Sequence, residues 1–153
     1  MARFLYWSDI HTEFNPFTLP KVQNIDAVML GGDTAVGDNH LDFLFAAWQT
    51  YQVPIISIRG NHEYYHQVWE DLENRDAKRL AQWHAQNIPI HVLDGTSIVI
   101  NKTRIIGATL WTDMTVMGDQ GVFAIPQVEQ SMNDYQTIQK RDPKVRALIE
   151  DDI

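Results

Sequence analysis

The sequence predicts an α/β domain with a mixed β-sheet flanked by helices. Three observations point there. Short apolar runs at residues 3–8, 26–30 and 54–59 each stop at a polar cluster. Segments with helical spacing follow the second and third runs, so strand and helix alternate and neighbouring strands should be parallel. Three later apolar runs, at 89–93, 97–100 and 103–110, are joined by turn residues, which adds hairpin-like pairing.

Residues 3–8, RFLYWS, read as the first strand and end at Asp9, before the proline-containing loop TEFNPFTLPK. DAVML at 26–30 is the second strand and stops at Gly31-Gly32-Asp33. Residues 39–51 place Leu41, Leu44, Phe45 and Trp48 on one helical face, with Asn39 as N-cap. PIISIR at 54–59 is the third strand. A long helix is predicted over 64–86, marked by Val68, Trp69, Leu72, Leu80 and Trp83. Turns are expected at Asp94-Gly95 and near Asn101-Lys102. Residues 126–140 and 144–150 are each predicted helical, Pro143 suiting the start of the second. No internal repeat, low-complexity tract or linker interrupts the chain.

The length, 153 residues, suits a single domain over 1–153 with a core of its own. Hydrophobic residues make up 44% and charged residues 21%, a globular balance. No apolar run approaches the ~18 residues of a membrane helix, so no membrane role is expected. The N-terminal apolar run leads into Asp9 and His11 rather than a small-residue cleavage site, unlike a signal peptide. Cysteine is absent, which excludes disulfides and thiolate metal sites and is compatible with a cytoplasmic location, the expectation here. The net charge of -8 disfavours binding a long nucleic acid by bulk electrostatics and suits bound cations.

Chemistry gathers at three strand ends: Asp9-Ile10-His11, Gly31-Gly32-Asp33 and Gly60-Asn61-His62-Glu63. Ligands of α/β sheets collect beyond the carboxyl ends of the strands. In extended chain, residues i and i+2 share a side, so Asp9 and His11 should reach one cation together. A carboxylate beside an imidazole suits Mn, Fe or Zn better than Ca or Mg. Asp33 has two oxygens with which to bridge two ions, and Asn61 offers an amide oxygen. Gly31, Gly32 and Gly60 permit close backbone approach. Two metals roughly 3.5–4 Å apart are a recurring device for hydrolysing phosphate esters.

SDIH, GGD and GNHE, in that order at strand ends, resemble the first three motifs of the calcineurin-like metallophosphoesterases: D-x-H, G-D and G-N-H-[DE]. The later GATLWTD and MNDY resemble a bacterial and phage branch of that family, so the likeness runs over nearly the whole chain. The resemblance implies a sandwich of two sheets flanked by helices. It also implies two divalent metal ions, and a phosphatase or phosphodiesterase that uses a metal-activated hydroxide on a phosphoester substrate. By position, Asp9 and His11 match ligands of the first metal and Asp33 matches the bridging carboxylate. Asn61 matches a ligand of the second metal that also contacts the phosphate. His62 matches the histidine that stabilises the transition state or protonates the leaving group. Monoester, diester, nucleotide and nucleic-acid substrates are all compatible with these residues.

The family pattern continues with three further histidines, two of them in a Gly-His-x-His motif. Here the histidines are His11, His40, His62, His66, His84 and His91, with none later. That leaves both metal shells short and the sandwich incomplete. The expectation is a domain truncated at its C-terminus, or a second polypeptide supplying the missing half. The alternative is a catalytically inactive relative acting as a binding or interaction module. His40 is expected at a helix start on the surface, His66 on the following helix, and His84 and His91 at the surface or its boundary. Tyr64, Tyr65 and Trp111 would wall a pocket or pack in the core.

Overall fold

The computed structural model describes residues 2–112 and 125–141. Strands Phe4–Trp7 (β1), Ala27–Leu30 (β2), Ile55–Ser57 (β3) and Ile90–Val92 (β4) form one parallel sheet in that order. The register aligns Trp7 with Leu30, Leu30 with Ser57, and Ser57 with Val92. All four strands therefore end at one rim, and the polar clusters that follow β1, β2 and β3 emerge side by side.

Alternation along the strands builds two apolar layers. Val28, Leu30, Ile55 and Ile90 pack with Leu41, Leu44 and Ala47 of helix Asn39–Tyr51 (α1) and Trp83 of helix Trp69–Ala85 (α2). Ala27, Ile56 and Leu93 face the other way and meet Phe4, Ile58, Ile98, Ile100 and Ile105. The last three belong to an antiparallel hairpin, Thr96–Ile100 (β5) and Thr103–Gly107 (β6). Its tip, Asn101-Lys102, has positive φ at both residues, the pattern of a two-residue primed turn. Among the described residues, parallel and antiparallel strands both occur, in two sheets, as a mixed sandwich requires. The hairpin lies across the face opposite the helices.

Helix α1 has the predicted bounds, but Asn39 is its first residue. Asp38 holds the cap position, without a side-chain bond. The predicted helix 64–86 starts only at Trp69. His62–Tyr64 instead form a single 3-10 turn that carries Tyr64 into the interior. His66 sits between the two with positive φ, off the helix. The predicted strand 103–110 ends at Gly107. The predicted helix 126–140 is two short helices, Ile125–Ser131 (α3) and Asn133–Thr137 (α4), broken where Met132 turns extended. Beyond α4 the chain is extended, and Gln139 bridges to Val68. The 144–150 stretch lies outside the described residues.

Candidate metal centre

The first two loops leave the sheet locked together. The Gly31 N–H donates to Trp7 O, Asp9 N–H to Gly32 O, His11 N–H to Asp33 O and Thr12 N–H to Thr34 O, all at 2.8–3.1 Å. Asp9, His11 and Asp33 all have φ near +50°. That region costs a non-glycine residue about 1–3 kcal/mol, and such strain clusters at functional sites. The expected i, i+2 alternation of extended chain is therefore not how Asp9 and His11 meet. β1 ends at Trp7, and two left-handed residues flank Ile10, which turns inward against the core. The outcome still brings the predicted ligands together: Asp9, His11 and Asp33 offer ligand atoms within 4.8 Å of one another. Two carboxylates and an imidazole fit a cation such as Mn, Fe or Zn.

The third loop is built onto the second. A Cβ on Gly32, at φ +91°, would lie 2.5 Å from Gly60 N, and one on Gly60 would lie 2.2 Å from Asp33 Oδ1. Glycine is required at both, because the loops and the Asp33 carboxylate fill that space. The His62 N–H donates to Asp33 Oδ1 at 2.9 Å, which fixes the carboxylate. Glu63, buried, accepts three backbone N–H groups, from Asp33, Thr34 and Gly60, at 2.7–3.0 Å. It clamps the Asp33 loop to the Asn61 loop.

Glu13 joins this group, although the sequence reading passed over it. Its Oε1 is 3.0 Å from His11 Nδ1 and 2.7 Å from His62 Nδ1, and the two imidazole rings lie 4.4 Å apart. His11, Glu13 and His62 form a second set of potential ligand atoms within 4.8 Å. Burial works to raise the Glu13 carboxyl, but the bonds from His11 and His62 outweigh it and hold it below its ordinary value. On the far side of His62, Tyr65 stacks at 4.2 Å between ring centres. Burial, then its bond to Asp134, pushes the Tyr65 phenol up to about 12. The Asn61 amide donates to Asp134 Oδ1 at 2.7 Å and to the Tyr65 hydroxyl at 3.1 Å. The amide carbonyl takes no part in either bond.

His66 makes an edge contact with Tyr65 at 6.3 Å between ring centres, whereas His40, His84 and His91 belong to other contacts. His40, expected at the surface, is buried. Its Nδ1 is 2.7 Å from Gly37 O and its Nε2 is 3.3 Å from Asp76 Oδ2. Arg59 donates twice to the same Asp76 oxygen, at 2.9 and 2.6 Å. Burial would raise the Asp76 carboxyl, but the adjoining His40 and Arg59 prevail and lower it. The signal was present in the sequence: Asp76 interrupts the α2 stripe of Leu72, Leu80 and Trp83. His84 and His91 lie at the surface and its boundary as expected, and their ring centres are 5.0 Å apart. Tyr64 is core, packed against Trp69, and Trp111 flanks Trp69 half-exposed.

The family profile for calcineurin-like phosphoesterases matches residues 2–148, which includes all three strand-end clusters. The chain belongs to the calcineurin-like phosphoesterase family. Members of this family act on phosphoesters and bind divalent metals. The two-sheet arrangement flanked by helices is consistent with that fold. Comparison with curated proteins and with solved structures gave no significant match. Among the described residues, no helix is long and apolar enough to cross a membrane.

Proposed function

We propose that this chain hydrolyses phosphoesters at the rim formed by the ends of β1, β2 and β3. The observation that supports this most is the convergence of Asp9, His11 and Asp33 within 4.8 Å, beside a loop whose His62 is bonded to the same Asp33. Asp9, His11 and Asp33 would hold one divalent cation, and Asp33 with the Asn61 carbonyl a second. Bound there, such ions supply positive charge to the phosphate oxygens and lower the pKa of a coordinated water.

The protein's own groups would do the rest. Asn61 and His62 bind and orient the phosphate. Glu13, bonded to His62 Nδ1, stabilises the doubly protonated imidazole and leaves Nε2 to face the leaving oxygen. His62 then gives its Nε2 proton to that oxygen as the ester bond breaks. The bond that His11 Nδ1–H donates to Glu13 leaves His11 Nε2 as its ligand atom, the usual outer support of a metal-bound histidine. Glu63 and the glycines at 32 and 60 hold the loops in register. The charge of -8 favours small phosphoesters over long nucleic acids.

The grouping of His11, Glu13 and His62 as a second candidate ligand set, which would occupy His62 as a ligand, favours a second reading, a module that binds cations without turnover. Hydrolysis of p-nitrophenyl phosphate and bis(p-nitrophenyl) phosphate with added Mn²⁺ separates the two. Mn²⁺-dependent release of nitrophenol, lost in Asp33→Ala, supports the hydrolase, and the preferred ester sorts phosphatase from phosphodiesterase. Equal, metal-independent rates in both proteins would sink the mechanism. Mn²⁺ binding with neither ester turned over would favour the binding module.

A further inference from the structure

Asn61 is gripped by a residue 73 positions along the chain. One oxygen of Asp134, Oδ1, accepts from the Asn61 amide at 2.7 Å and from the Tyr65 hydroxyl at 2.6 Å. The segment that carries Asp134 is stitched to the loop by backbone as well. His66 N–H donates to Thr137 O, Gln139 N–H to Gln67 O and Trp69 N–H to Gln139 O, at 2.8–3.0 Å. From these contacts we propose that Asp134 is a positioning residue that fixes which end of the Asn61 amide faces the rim. This role rests on the reading of Asn61 as a ligand and concerns how that ligand is presented.

The chemistry is one of exclusion. A primary amide has an N–H₂ that only donates and a carbonyl that only accepts. An ionised carboxylate only accepts. Turning the amide over would set its carbonyl against Asp134 and forfeit the bond. With Nδ2 committed to Asp134 and Tyr65, the carbonyl is the atom left for a cation. The same Asp134 oxygen holds the Tyr65 hydroxyl, and the Tyr65 ring lies against His62. Asp134 thus sets Asn61 directly and supports His62 through a stacked ring. Outer partners of this kind change metal affinity by about 10–100-fold.

The test uses the whole chain with two readouts. In the metal-free ¹⁵N-labelled protein, the Asn61 side-chain amide signals should be shifted and slow to exchange. They should move to the position of an exposed amide in Asp134→Ala, and stay near wild type in Asp134→Asn, whose carbonyl still accepts. In a Mn²⁺ titration followed by electron paramagnetic resonance, Asp134→Ala should weaken the second ion by about 10–100-fold and leave the first unchanged, with Asp134→Asn restoring it. Unmoved Asn61 signals in Asp134→Ala overturn the assignment, as does a second ion bound with wild-type affinity. If wild type binds a single ion, the two-ion reading falls. Moved Asn61 signals would then still support the positioning role, and unmoved ones would still refute it. Should Asp134→Ala fail to fold, Asp134→Leu, close in size but with no acceptor, replaces it with the same expected displacement and the same refutation.

Discussion

Two groups of histidine and carboxylate occupy this domain and differ in almost everything but composition. His40, Asp76 and Arg59 are sealed beneath α1 and α2, with the Asp76 side chain wholly inaccessible. His11, Glu13 and His62 stand open on the rim, their side chains 18–26% exposed. In the sealed group Asp76 faces a permanent cation and ties α1, α2 and the end of β3 together. Beside the open group two further carboxylates, Asp9 and Asp33, lie within ligand reach of the His11 imidazole. Surplus negative charge on an open rim calls for a cation from solution, whereas in the buried group Arg59 already neutralises Asp76. Residue type alone does not announce a site; the contrast lies in burial and charge balance.

Removing one partner should therefore unfold the first group and disarm the second. The largest expected effect is on stability: Asp76→Ala strands Arg59 in the interior and should lower the unfolding free energy by about 3–5 kcal/mol in urea titrations. A loss within experimental error would show that the buried pair does not support the fold. Glu63 lies between the two classes, buried yet serving the rim. Glu63→Ala leaves three backbone donors unpaired, and should reduce stability by about 1–3 kcal/mol while also weakening Mn²⁺ uptake. A change in only one of the two measurements would break the link drawn between clamp and site.

Glu13→Ala sharpens the comparison from the open side. Turnover of the nitrophenyl esters should fall about 10–100-fold, while the unfolding free energy changes little, within about 0.5 kcal/mol as for other surface changes. Acid provides the smallest effect. Asp76 has its folded-state pKa lowered, so below about 4, where a free aspartate takes up a proton, the unfolded chain binds more protons than the folded one. The stability that Asp76 contributes is complete above that range and drains as pH falls through the folded value. The stability advantage of wild type over Asp76→Asn should thus shrink between pH 5 and pH 3. An advantage that grows on acidification would reverse the assigned sign.

The strand ends were legible because apolar runs that stop at glycine and aspartate leave few other readings. α1 was legible to within one residue because Leu41, Leu44, Phe45 and Trp48 repeat at helical spacing. The start of α2 was hidden by Tyr64 and Tyr65, aromatic residues that suit a helix but serve the core and the rim instead. Asp9, His11 and Asp33 were identifiable as candidates, yet their meeting depends on three left-handed residues that no alternation rule describes. Asp76 could have been found as an acid within an apolar stripe. Glu13 and Asp134 were harder to place: His62, which Glu13 holds, lies 49 positions away, and the MNDY motif that contains Asp134 gave no pointer to Asn61, 73 positions earlier.

The central claim is that the open group, and not the sealed one, binds the cation. Mn²⁺ titration of wild type and Asp33→Ala, each with its melting curve in chelator, tests it most directly. Wild type should bind Mn²⁺, and Asp33→Ala should lose at least about 100-fold in affinity while its metal-free stability falls less than that of Asp76→Ala, since among the described bonds only the His62 N–H loses an acceptor. Equal Mn²⁺ affinity in the two proteins would contradict the account.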